Sequence, residues 1–284
     1  MVIVVQIFLL MILTGLTIML VDGNRFHTVS YEVESVKLQK SHCFVVIADL
    51  HNKTYGKNHE KLLKRIEKEE PEGILIAGDV LTAKPGYPLE SAIELIRQLA
   101  ERYPVYYGMG NHETRLFLYP EVYGDMGKRY ENQLSCFGVS LLKNKTIQLE
   151  DNLMVTGLEL ERRFYQRFRK TPMEEEYLEN TLGKKEKEKF QILLAHNPDY
   201  FPEYSLWGAD LVLSGHVHGG MVRIPFLGGI VSPAFRFFPR YDGGKFKENN
   251  SYMILSRGLG MHTIPIRIFN PGELVVVHLK PMGE

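Results

Sequence analysis

The stretch LVLSGHVHGG, residues 211–220, sets two histidines one residue apart, after an aliphatic run and ahead of a glycine pair. Leu211 to Leu213 are apolar without alternation, the pattern of a strand buried on both faces. His216 and His218 share one parity, so a backbone that carries on the strand turns both imidazoles to the same side. Gly219 and Gly220 let the chain turn close by with no side chain in the way. A buried strand that delivers two ring nitrogens at its carboxyl end belongs in an α/β sheet, where ligands bind in the loops at the strand ends.

The same construction recurs along the chain. CFVVIADLH (43–51), GILIAGDV (73–80), VYYGMGNHE (105–113) and QILLAHNPD (191–199) are apolar runs that break off in polar residues. KNHEKLLKRIEKEE (57–70) and LESAIELIRQLAERY (89–103) lie between the first three and place apolar residues three and four apart, which predicts helices. Strand, helix and strand in succession imply a layered α/β domain. LMVTGLELE (153–161), SYMILSRGL (251–259) and ELVVVHLK (273–280) add later strands, and no internal repeat is present.

Asp49, His51, Asp79, Asn111, His112, His196, His216 and His218 all fall at these strand ends. Singly, an Asp after a strand reads as a helix cap and a His as a satisfied polar residue. Jointly they make one chemistry. Carboxylates, an amide oxygen and imidazoles without a thiolate suit hard-to-borderline divalent cations rather than a structural zinc knuckle. Strand alternation predicts that Asp49 and His51 share a side, as His216 and His218 do.

Composition narrows the function class. The 284 residues are 44% hydrophobic and 24% charged, with 34 basic and 34 acidic side chains, ordinary for a domain with ample core. A formal charge of zero gives no reason to expect duplex nucleic acid as a partner. Two cysteines, Cys43 and Cys136, make no disulfide framework.

Residues 1–21 carry no charged side chain and as a helix would span about 31 Å, enough for a bilayer core. A cleaved signal peptide is the rival, but the stretch lacks a basic start and a small-x-small cleavage site. We expect a single-pass membrane anchor over 1–21, a connector over 22–40 holding one strand from YEVESVKL, and a catalytic domain over 41–284. Arg25, Lys37 and Lys40 follow the anchor, which by charge bias favours a cytoplasmic domain.

DLH, GD, GNHE, HNPD and GHVHGG, in this order over most of residues 41–280, resemble the calcineurin-like metallophosphoesterase superfamily. DLHNKTYGKN, the GHVHGG loop and SRGLG are similar to its membrane-anchored bacterial members, whose envelope association suggests the opposite side of the membrane. The resemblance implies a four-layer α/β sandwich of two mixed sheets flanked by helices. It also implies two divalent metal ions, Mn, Zn or Fe. Asp49, His51, Asp79 and His218 would hold the first, and Asp79, Asn111, His196 and His216 the second. A bridging hydroxide would attack phosphorus, with His112 orienting the phosphate and protonating the leaving oxygen. The chain departs from the wider pattern after GD, where GDVLTAKPGY has neither the acidic residue nor the arginine many members carry, and at Met221, where relatives often have Gln.

The implied reaction is hydrolysis of a phosphoester or pyrophosphate on a phosphorylated small molecule or lipid. A nuclease, a cyclic-nucleotide phosphodiesterase and a non-catalytic metal-binding scaffold are the alternatives, the last disfavoured because the ligand set is complete. ERRFYQRFRK (161–170) alternates basic and aromatic residues and reads as a solvated helix with a basic face or as a grip for a phosphate-bearing or lipid headgroup surface, and TPMEEEYLENTLGKKEKEK (171–189) reads as an exposed helix with opposite charges along it. PFLGGIVSPAFRFFPR (225–240) is unusually apolar for a Gly/Pro-rich loop and reads as a pocket wall, a membrane contact or ordinary packing. His27, His42, His59, His262 and His278 carry no motif and are taken as structural.

Overall fold

The second strand shows why the apolar runs do not alternate. In β2 (His42–Ile47), Val45 and Ile47 pack with Leu62, Ile66, Leu95 and Leu99, while Phe44 and Val46 pack with Val155, Ile192 and Leu213. From Phe44 to Ile47 each face of the strand therefore meets its own core, and none of these four positions is left for a polar residue. The computed structural model describes residues 2–166, 169–224, 226–232, 237–261 and 265–283.

One six-stranded mixed sheet runs β1 (Phe26–Ser35), β14 (Gly272–Pro281), β2, β3 (Gly73–Ala77), β4 (Val105–Gly108) and β5 (Ser140–Leu142). The other runs β12 (Gly244–Glu248), β13 (Ser251–Leu255), β9 (Leu211–Ser214), β8 (Phe190–Ala195), β7 (Leu153–Leu158) and β6 (Lys145–Glu150). A hairpin of β10 (Val222–Ile224) and β11 (Gly228–Val231) follows the histidine loop. Phe44, Leu75, Leu194, Leu213 and Val277 belong to the core between the sheets. Helices α2 (Glu60–Glu67) and α3 (Glu90–Ala100) cover the outer face of the first sheet, and Leu178, Phe201 and Tyr204 pack on that of the second. The result is the expected four-layer sandwich of two mixed sheets flanked by helices. Each Leu, Ile or Val withdrawn from water in it contributes roughly 1.5–3 kcal/mol.

Helix α1 (Val2–Asn24) is long and apolar enough to cross a membrane, and its residues are largely exposed until Asp22 and Gly23, which are buried. Residues 22–40 are less of a connector than expected. β1 begins at Phe26, five residues before YEVESVKL, and pairs in parallel with β14 over its whole length. The strand was faint in sequence because it lies at a sheet edge with mostly half-buried side chains and its partner is at the far end of the chain.

ERRFYQRFRK is not a helix where it is described: Arg162–Tyr165 form a 3-10 turn with Phe164 buried. Residues 167 and 168 lie outside the described residues, as do residue 262 and, in the apolar loop, residues 225 and 233–236. In TPMEEEYLENTLGKKEKEK only Tyr177–Leu182 is helical.

Candidate metal centre

The strands β2, β3, β4, β8 and β9 each stop just before a candidate ligand, so the eight residues converge at one end of the sandwich. Asp49, Asp79, His196 and His218 are at most 3% exposed, and His51, Asn111 and His112 are also buried. His216 is half-buried.

They do not converge by strand alternation. Asp49 and His51 have φ of 50°, Asp79 54°, His216 74° and His218 51°, all in the left-handed region. The chain after β2 is tied instead to the chain after β3: the N–H groups of Asp49 and His51 donate to the carbonyls of Gly78 and Asp79 at 3.0 and 3.1 Å. Asp and His tolerate this backbone better than branched residues do, so the residue types that bind metal also suit the turn.

Asp79 is central. Its Oδ2 lies 3.1 Å from His196 Nε2, 3.9 Å from His51 Nε2 and 4.0 Å from His112 Nε2, while Oδ1 accepts the backbone N–H of His112 at 2.8 Å. Asp49 Oδ1 lies 3.4 Å from His218 Nε2 and 3.6 Å from His196 Nε2. The backbone N–H of His216 donates to both oxygens of Asp49. His51 and His218 stack with their Nε2 atoms 3.1 Å apart. Ligand atoms of Asp49, His51 and His218 fall within 4.8 Å of one another, as do those of Asp79, His196 and His216, and of His51, Asp79 and His112.

Two observations test whether these residues fit cations. Asn111 Oδ1 is buried and accepts no hydrogen bond, and an acceptor oxygen so placed matches a positive ligand. His196 Nδ1 sits 2.6 Å from the carbonyl of Ala77, to which it donates, leaving the lone pair of Nε2 directed between the two carboxylates. The residues fit.

The electrostatics make the same demand. Burial pushes Asp49 up to about 7, with His196 opposing it. Burial also acts to raise Asp79, but His196, His112 and His51 around it hold it well below the usual carboxylate range. Burial would lower His196, yet Asp79 and Asp49 raise it to about 10. Buried carboxylates that draw a proton onto an imidazole call for positive charge.

His112 differs from the other histidines. The backbone N–H of Ala83 donates to its Nδ1 at 2.9 Å, so the neutral ring carries its proton on Nε2, toward Asp79. Burial lowers its pKa, the Asp79 charge opposing, which favours that neutral form.

Sequence reasoning passed over three supports. Glu113, fully buried, accepts the N–H groups of Asp79 and Gly110 on Oε2 at 2.9 and 3.0 Å, and the Val80 N–H and the Tyr107 O–H on Oε1. Its signal was available: it is the third residue of α4 (Asn111–Leu118), where an acid folds back on the helix start. Tyr165 places its ring 5.1 Å from that of His216. With Asn111, Arg115, Leu118 and Arg162 it lines a cavity of about 350 Å³ beside the centre. Asn270, fully buried, donates from Nδ2 to the carbonyls of His218 and Gly220, both at 2.7 Å, and no local pattern marks it.

Residues 44–220 match the calcineurin-like phosphoesterase family. The chain is 26% identical over 242 residues to the metallophosphoesterase YkuE of Bacillus subtilis, covering 83% of this chain and 78% of that one. It is 27% identical over 262 residues to a metallophosphoesterase of Aquifex aeolicus, covering 89% and 92%. A Danio rerio transmembrane protein with a metallophosphoesterase domain is 27% identical over 247 residues, covering 83% of this chain and 52% of its own length.

Proposed function

Because the chain belongs to the calcineurin-like phosphoesterase family and is a metal-dependent phosphoester hydrolase, we propose that its eight converging residues form a dinuclear centre with one proton donor. Asp49, His51, Asp79 and His218 hold one ion, and Asp79, Asn111, His196 and His216 the other, drawn from Mn, Zn or Fe. The observation that carries this is the place of Asp79: its Oδ2 lies 3.1 Å from His196 Nε2 and 3.9 Å from His51 Nε2, one histidine from each of the two sets. Two divalent ions held there supply Lewis acidity toward a phosphoryl oxygen and lower the pKa of water.

The chain's own groups do the rest. Glu113 holds the Asp79 backbone N–H and the His112 N–H holds Asp79 Oδ1, which together fix the carboxylate with Oδ2 turned toward the histidines. His112, its ring held by Ala83, directs Nε2–H at the leaving oxygen as a hydrogen-bond donor, and it yields a proton there as the imidazolium, the form that the Asp79 charge favours. Arg115 and Arg162 give the neighbouring cavity positive charge for an anionic substrate, answering the absent arginine after GD. Leu118 and Leu160 form its apolar side.

The substrate we propose is a phosphorylated small molecule or lipid met at a membrane surface, with α1 as tether. Phe226 and Leu227 support this, being 107% and 67% exposed in the loop beyond the histidines.

The test uses the purified full chain in detergent, supplied in turn with Mn²⁺, Zn²⁺ and Fe²⁺. Bis-p-nitrophenyl phosphate, p-nitrophenyl phosphate, nucleotide sugars and phospholipid vesicles are offered as substrates. Asp79→Asn should lose bound metal and turnover together, since an amide cannot join two cations as a carboxylate does. Wild-type metal content and turnover in that variant would end the dinuclear reading.

A further inference from the structure

The last turn of α1 is not a loose tether. Asp22 is 1% exposed, although the residues before it are mostly open. Its Oδ1 pairs with the Arg25 guanidinium at 2.7 Å, and its Oδ2 accepts the backbone N–H of Asn270 at 3.1 Å. Asn270 in turn holds the carbonyls of His218 and Gly220. Two residues thus link the end of the apolar helix to the histidine loop.

That loop needs outside support. His218, Gly219 and Gly220 have φ of 51°, 69° and 85°, so their carbonyls enter no strand ladder. Asn270 bonds two of the three. Other contacts seat the same turn: Lys53 Nζ donates to Asn24 Oδ1 at 2.7 Å, and a Cβ at Gly23 would lie 3.2 Å from Met261 Sδ. Asp22 is also among the acids whose charge acts on Arg267, a buried guanidinium that donates to the carbonyls of Gly258, Gly260 and Asn270. A buried carboxylate costs free energy unless it is paired and hydrogen-bonded. A flexible tether requires none.

We propose that Asp22 is a positioning residue for the metal-binding loop: through Asn270 it sets where His216 and His218 point, so that the end of the apolar helix is part of the centre's scaffold. This rests on the reading that those histidines hold metal.

The experiment measures Mn²⁺ and Zn²⁺ affinity by calorimetric titration of the full chain in detergent, with folding followed by circular dichroism. Asp22→Ala should weaken the affinity about 10- to 100-fold, as loss of a group that orients metal ligands does. Asp22→Asn, which keeps an oxygen for the Asn270 N–H, should recover most of it. Gly23→Val lifts the same turn off Met261 without removing a charge, should weaken binding likewise, and carries the test if Asp22→Ala does not fold. Replacing residues 2–21 by an unrelated apolar helix, with Asp22 in place, should leave affinity unchanged. Wild-type affinity in Asp22→Ala or, where that variant does not fold, in Gly23→Val overturns the positioning role. Asp79→Asn is measured alongside: if it keeps full metal occupancy, the reading of the centre itself fails, and the two failures are told apart.

Discussion

Gly110 is where the smallest possible change should do the most harm. A Cβ built there would lie 2.2 Å from Asp79 Oδ1 and 2.4 Å from the Asp79 nitrogen, whereas real Cβ contacts essentially never fall under 3.0 Å. The atoms in the way cannot swing aside, since the carboxylate is held by the His112 N–H and the nitrogen by Glu113. Gly110→Ala must therefore part Asp79 from Asn111 by on the order of 1 Å. Such a misplacement at a reacting centre costs roughly 10²-fold in rate, about 2.7 kcal/mol of transition-state stabilisation. The overpacking itself destabilises the fold by about 1–3 kcal/mol. Gly157 supplies a matched comparison, because a Cβ there would lie 2.2 Å from the Leu142 carbonyl oxygen and meet no candidate ligand. Both variants are melted by circular dichroism, and kcat/KM and metal content are measured per folded chain well below either transition. Similar losses of thermal stability are expected, with turnover and metal lost only in Gly110→Ala. If Gly157→Ala loses as much kcat/KM as Gly110→Ala, global destabilisation explains both and the geometric reasoning is refuted.

His112→Asn should keep both metals yet slow hydrolysis by about 10²- to 10⁴-fold, most for esters with a poor leaving group; equal slowing of alkyl and p-nitrophenyl esters would remove the proton-donor role. His59, buried with Nε2 3.0 Å from the Ser91 carbonyl, has its pKa lowered from 6.5 by burial. Its contribution to stability is thus present above pH 6.5 and lost as pH falls through the folded-state value. The melting temperature of His59→Gln should fall less steeply below pH 6.5 than that of the natural chain, and parallel curves would contradict this.

How much of this was legible follows from the range over which each residue acts. Val45 and Phe44 announce a two-sided strand because their burial is set by neighbours that alternate along the same strand. Asp49, Asp79 and His196 are legible as candidate ligands because each sits within two residues of the end of such a run. The reason given for their convergence was wrong: alternation requires a strand, and Asp49 and His51 leave the sheet with a left-handed backbone. Phe164 and Tyr165 sit among basic residues that mimic a helical face, yet Phe164 packs on Tyr200 and Tyr165 on His216, contacts that no local window contains. Asp22 and Asn270 are separated by nearly the whole chain, and the pairing of β1 with β14 brings them together.

The five left-handed candidate ligands, Asp49, His51, Asp79, His216 and His218, also say what an engineer would find here. At each of them glycine would relieve about 1–2 kcal/mol of left-handed strain, offset in part by the conformational entropy glycine loses on folding, about 0.5–1 kcal/mol, and at Asp49 and Asp79 by the backbone N–H groups left without an acceptor. A screen that rewards only thermal robustness is therefore blind to exchanges at these positions that erase a candidate metal ligand. A selection for robust variants of this protein has to score metal retention at every round, or it will enrich sturdy proteins with no chemistry.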